Sequence, residues 1–114
     1  MPSSGLFGSY PLTSQKIDEV VNGMSAGAYA LGYDSKDATV FYVQRIGRSD
    51  TDLNARLHDY VNGRYERFKY AFYKNAEQAF YKECRLFHDF SPEDNPIHPD
   101  KPNGTNYKCP VCGV

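Results

Sequence analysis

The chain has 114 residues, 40% of them hydrophobic and 24% charged, with a formal net charge of −1. That length suits one domain with a modest core, and the composition excludes a disordered tail. The near-neutral charge excludes a global basic field, so any nucleic-acid contact must come from a local patch.

Residues 1–12 are rich in Gly, Ser and Pro and read as a flexible lead-in. They lack the basic and apolar regions of a secretory signal, and no apolar run reaches the roughly 18 residues of a membrane span. Three cysteines, two of them in a C-x-x-C, favour metal or redox chemistry over a disulfide framework. The expected setting is therefore intracellular (cytoplasmic), without a membrane.

Thr13 or Ser14 can cap a short helix through "QKIDEVVN", with Gly23 as its stop. "GAYALGYD" and "TVFYVQRIG" read as two strands joined by the polar turn "SKDA". A helix follows in "SDTDLNARLHDYVNG", with Ser49, Asp50 or Thr51 as its N-cap, Leu53, Leu57 and Val61 on one stripe, and Asn62-Gly63 as its end. "YERFKYAFY" alternates as a third strand, with Phe68, Tyr70 and Phe72 on one side. Asn75 then caps a helix over 76–90. The remaining stretch holds five of the seven prolines and needs an anchor to be ordered. The order β-β-α-β-α predicts an α+β fold: a small three-stranded antiparallel sheet flanked by helices. It forms a single domain over 13–114, with a core over 24–95 and a tail over 91–114.

The last helix, "AEQAFYKECRLFHDF", carries the chemistry. Ala76, Ala79, Phe80, Phe87 and Phe90 form an apolar stripe with Glu83 at its centre. A carboxylate there is costly to bury unless it is paired or bound to metal, which makes Glu83 the leading site candidate. Glu77 is a first-turn residue favoured by the helix dipole. Cys84 and His88 stand at i and i+4, and Cys109-x-x-Cys112 adds two thiols from the tail. Together they make the Cys₃His set of a structural zinc site, which would pin the tail to the helix. His98, in "NPIHPDKP", is the rival to His88 as fourth ligand; His58 has no cysteine near it and reads as a solvated residue.

"GAY" opening the first strand, "RIGRS" ending the second, an arginine on the next helix and a glutamate on the last resemble the GIY-YIG nuclease superfamily, from Gly27 to about Asn95. The tail "HPDKPNGTNYKCPVC" is similar to the zinc-binding end of a small stand-alone branch. The resemblance implies a metal-dependent endonuclease acting on DNA, with catalytic positions at Tyr29, Arg48, Arg56, Tyr60, Glu83 and Asn95. Glu83 would hold one Mg²⁺ (or Mn²⁺) that keeps most of its waters. Arg48 and Arg56 would grip phosphate through their fork-shaped donors. Tyr60, at i+4 from Arg56, would share its helix face. Tyr29, flanked by cations, would have its pKa lowered from about 10 to serve as general base. The tyrosine that begins the second motif is Arg45 in an ungapped match; Tyr42 takes the place only if "QRI" forms a bulge, since in a regular strand the two point to opposite faces. Arg45, Arg48, Arg64, Arg67 and Lys69 would supply the local nucleic-acid-binding patch. Two other readings use the same residues: a catalytically weakened nucleic-acid-binding module of this fold, and a zinc-stapled protein-interaction domain.

Overall fold

The computed structural model describes residues 4–114. Its elements run in the order β1 (Phe7–Pro11), α1 (Ser14–Val20), β2 (Gly27–Asp34), β3 (Phe41–Ser49), α2 (Leu53–His58), β4 (Arg67–Phe72) and α3 (Ala76–Phe90). The strands form one antiparallel sheet in the order β1-β4-β2-β3. Among the described residues the fold is thus α+β, with four strands and three helices rather than a three-stranded sheet. The added strand is β1, which pairs with β4 from within the expected lead-in; residues 1–3 of that segment lie outside the described residues. Short and rich in Gly, Ser and Pro, β1 carries little sequence signal, and its place comes from pairing with β4.

The alternation of β2 determines the layering. Tyr29 and Leu31 face one side, where Ile17, Val21, Leu53, Leu57 and Phe68 complete a core beneath α1 and α2. Ala28 and Ala30 face the other side with Ile46 and Leu86, under α3. Large side chains fill one layer, and alanines let α3 approach the other. Thr13 caps α1 by accepting from the Lys16 N–H, and Asn75 caps α3 by accepting from the Gln78 N–H. No described helix is long and apolar enough to cross a membrane.

Two details near β3 depart from the sequence pattern. First, β3 continues through Ser49, so α2 is capped by Asp52, whose side chain accepts from the Ala55 N–H, and not by Ser49, Asp50 or Thr51. The helix ends at His58, and Tyr60 lies in the turn beyond it, its N–H donating to the Leu57 carbonyl at 3.1 Å. Tyr60 therefore lies just beyond α2 and not on it, yet its ring still meets the Arg56 guanidinium, 5.9 Å from the ring centre. Second, the β2–β3 register shifts: Leu31 pairs with Arg45 but Gly32 with Val43, leaving Gln44 as the extra residue of a bulge. Because Leu31 and Tyr33 are two residues apart and face Arg45 and Tyr42 respectively, the bulge puts Arg45 and Tyr42 on the same face of the sheet, not on opposite ones. Gly32 permits this, because a Cβ there would overlap the Tyr42 carbonyl.

The tail has no helix or strand, yet it is tied down. The Asp94 N–H donates to the Gln44 carbonyl at 3.0 Å, and the Asn95 side chain brackets Ile46, accepting from its N–H at 2.8 Å and donating to its carbonyl at 3.1 Å. The tail thus covers the open edge of β3, satisfying amides that would otherwise lack partners. Gly32→Ala should lower stability in urea denaturation by about 1–3 kcal/mol or more, the usual cost of overpacking; an unchanged midpoint would show that the bulge does not need glycine.

Candidate functional site

Seven of the residues singled out in the sequence, Tyr29, Arg45, Arg48, Arg56, Tyr60, Glu83 and Asn95, line one cleft of about 280 Å³, together with Ile46, Gly47, Asp50 and Asp100. They come from β2, β3, α2 and its following turn, α3 and the tail. The cleft straddles the edge strand β3, which offers Arg45 and Gly47 from one face and Arg48 from the other.

Glu83 meets Arg48 across the cleft floor, the Arg48 Nη1–H donating to Oε1 at 2.6 Å. Both side chains are largely buried, 12% exposed for Glu83 and 13% for Arg48. Burial raises the Glu83 carboxyl above the usual range, and Arg48 works against that shift. Arg48 is itself fixed on three sides: Nε donates to Asp50 at 2.7 Å, Nη1 also donates to the Asp100 carbonyl at 2.6 Å, and its guanidinium lies 5.2 Å from the centre of the Phe80 ring. The stripe on α3 is therefore not a uniform apolar face; Ala79 and Phe80 are buried while Glu83 opens to the cleft.

On the opposite wall the Tyr29 hydroxyl is 3.0 Å from that of Tyr60, with ring centres 5.6 Å apart. The Tyr29 ring packs against Gly47, where a Cβ would sit 2.5 Å from its Cζ. Arg45 and Arg56 each place a guanidinium 5.9 Å from the centre of the Tyr60 ring. Tyr29 is 1% exposed, and burial, followed by Tyr60, raises its hydroxyl well above the usual phenol value despite the neighbouring Arg56. The expected lowering of the Tyr29 pKa is thus reversed: desolvation of the phenolate outweighs the cation.

The other expected positions fall elsewhere. Tyr42 stacks on Tyr33, ring centres 5.1 Å apart, away from the cleft. Arg67 and Lys69 line a separate pocket with Ser9 and Asp34; Arg67 pairs with Asp34 at 2.8 Å, and Lys69 lies over the Phe41 ring. Arg64 pairs with Asp94. The basic residues therefore do not converge as one patch: Arg45, Arg48 and Arg56 reach the cleft, while Arg64, Arg67 and Lys69 do not line it. Asp50, which the sequence offered only as a helix cap, and Tyr65, Asp94 and Asp100 were not expected at the site. Their roles depend on contacts between segments, and no spacing marks them.

Beside the cleft, His88, His98, Cys109 and Cys112 bring their donor atoms within 4.8 Å of one another, a His₂Cys₂ group able to hold a metal ion such as zinc. Several features of the chain fit an ion there. Among the described residues, His88 Nε2 is the buried side-chain polar atom left without a hydrogen-bond partner. His98 Nδ1 lies 2.9 Å from the Pro99 carbonyl, which leaves Nε2, 3.5 Å from the Cys112 sulfur, for coordination. Burial pushes the Cys109 thiol up, but the Cys112 and Val111 N–H donors and His98 outweigh it and bring the thiol down to about 5, favouring the thiolate that metals bind. The expected Cys84 is not in this group. Its thiol is fully buried beside Phe80 and Cys109, and burial pushes it up to about 12. His98 takes its place, so the donor set is His₂Cys₂ and not Cys₃His.

No protein-family model, curated protein or solved structure matches the chain at a significant level.

In a zinc-binding titration, Cys84→Ser should retain about one ion per chain and His98→Ala should lose most of its affinity; the reverse order would restore Cys84 as the ligand. In an alkaline spectrophotometric titration, Tyr29→Phe should match the wild type up to about pH 11, because the buried Tyr29 ionises later than ordinary tyrosines near 10. A smaller phenolate signal in the variant would show that Tyr29 ionises in that range.

Proposed function

We propose that the cleft hydrolyses phosphodiester bonds in DNA, as a GIY-YIG-type endonuclease, and that the tail group holds a structural zinc ion. The carrying observation is the convergence of Tyr29, Arg48, Arg56, Tyr60, Glu83 and Asn95, from distant segments, on one cleft. Composition and secondary structure alone give no reason for these six to meet.

Glu83 fits a ligand for Mg²⁺ or Mn²⁺: it is a mostly buried carboxylate that lines the cleft, and Arg48 engages its Oε1. When bound, the divalent ion supplies a Lewis acid for the phosphoryl oxygens and the departing oxygen. Arg48 and Arg56 bind the phosphate and offset its charge in a cleft partly shielded from water. Tyr60 lines the cleft and orients the attacking water through its hydroxyl. Tyr29, buried and protonated, holds that hydroxyl in place. Asn95 acts through the backbone, fixing Ile46 and hence the Gly47-Arg48 segment of the wall.

The zinc ion would act on the same site indirectly. The tail carries Asn95 and the Asp100 carbonyl that holds Arg48, and the His₂Cys₂ group fastens this tail to α3 through His88. A binding module without catalysis is the second reading, favoured by Arg45 at the second-motif position. With Mg²⁺ or Mn²⁺, the wild type should nick plasmid or branched DNA, and Glu83→Ala should reduce the rate at least about a hundredfold, as when a catalytic metal or electrostatic contact is lost. DNA binding that is sensitive to salt, without cleavage and unchanged by Glu83→Ala, would replace the nuclease reading with the binding module.

A further inference from the structure

We infer that Arg45 is a phosphate-binding residue of the cleft and that Tyr65, from outside the cleft lining, is its positioning residue. This assignment rests on the phosphodiester reading above and gives the second-motif position a chemical role.

Arg45, paired regularly with Leu31 and two residues before Gly47 on the same strand, is on the sheet face that carries Tyr29 and Gly47, and its guanidinium lies beside the Tyr60 ring in the cleft. Arg45 Nε–H donates to the Tyr65 hydroxyl at 2.9 Å. That hydroxyl donates in turn to Asp94 Oδ2 at 2.7 Å. An ionised carboxylate can only accept, so Asp94 dictates the direction of the chain: the Tyr65 proton points to Asp94, and its oxygen lone pair is presented to Arg45. Asp94 is held from two further sides, by its N–H to the Gln44 carbonyl of the bulge and by its ion pair with Arg64.

This chain orients the guanidinium through Nε alone. Arg48 is different, because Glu83, Asp50 and the Asp100 carbonyl already engage it. Among the described residues no carboxylate lies at ion-pair distance from Arg45; Asp94 acts on it across the Tyr65 hydroxyl and is itself paired with Arg64. With Nε committed, the two terminal nitrogens remain as a pre-oriented fork for two phosphate oxygens. A cation thus stands where the related motif has a tyrosine, and a tyrosine from another segment, Tyr65, holds the cation.

The test uses the full chain and a labelled DNA duplex. Single-turnover cleavage is measured with Mg²⁺, and binding anisotropy without it across a range of salt concentrations. Arg45→Ala should slow cleavage by about a hundredfold, the scale of a misplaced reacting group, and reduce the salt slope of binding by about 1. Tyr65→Phe removes only the hydroxyl and should slow cleavage about tenfold while leaving the salt slope unchanged, since the Arg45 charge is still present. The double variant should be no slower than Arg45→Ala, the non-additivity expected of two residues acting as one unit. A Tyr65→Phe rate equal to the wild type, or additive losses in the double variant, overturns the positioning role. Cleavage that depends on Glu83 but ignores Arg45→Ala overturns the Arg45 assignment and leaves the nuclease reading standing. If the wild type cuts nothing, the nuclease reading falls, and the salt slope decides Arg45: a fall of about 1 in Arg45→Ala upholds phosphate binding, and an unchanged slope overturns it.

Discussion

Strand β2 is buried on both faces, and the rest of the molecule is arranged around the way it fills them. Tyr29 and Leu31 commit one face to a core of large side chains, and Ala28 and Ala30 leave the other thin enough for α3. The same strand delivers Tyr29 to the cleft wall, with its ring against Gly47 of β3. A strand-centre residue is held more rigidly than one on a loop, so the cleft takes one of its walls from the most constrained part of the fold.

The other walls come from β3 itself, from α2 and the turn after it, from α3 and from the irregular tail. As the edge strand, β3 needs partners for its outer amides; the tail supplies them through Asp94 and Asn95. That satisfies the backbone and at the same time brings the Asp100 carbonyl to Arg48 and the Asp94 carboxylate to Tyr65. The His₂Cys₂ group lies at the other end of this arrangement, where His98, Cys109 and Cys112 of the tail meet His88 of α3. The candidate metal-binding group and the polar cleft thus share one helix and one tail segment.

Burial, more than formal charge, sets the electrostatics. Glu83 and Tyr29 are both pushed toward their protonated forms by desolvation, although an arginine lies beside each. For Glu83 the arginine contact is direct and short, which holds the carboxylate in an otherwise unfavourable position. For Tyr29 the neighbour that matters most is Tyr60, which adds to the effect of burial.

Much of this was legible in the sequence because local patterns determine local structure. The strand alternation of "GAYALGYD", the caps at Thr13 and Asn75, and the span of α3 follow from periodicity and capping chemistry that act within a few residues. Glu83 was visible as a carboxylate at the centre of an apolar stripe. The sequence did not reveal β1, whose strand character comes from pairing with β4 some sixty positions away, or the α2 cap, which moved to Asp52 because β3 ran on through Ser49. It also misassigned Cys84. Helical spacing puts Cys84 and His88 on one side and both meet the C-x-x-C, but the donor group is completed by His98, which the irregular tail carries in, while Cys84 packs against Cys109. The Gln44 bulge is the sharpest case: a one-residue shift in pairing reversed the relation of Tyr42 to Arg45 and turned Tyr42 onto the sheet face that carries Arg45. The spans of β2 and α3 and the caps of α1 and α3 were thus determined by the sequence, through short-range chemistry. Ligand identity, strand register and the direction in which a side chain points were decided by the tertiary structure, because each depends on segments meeting that no local pattern relates.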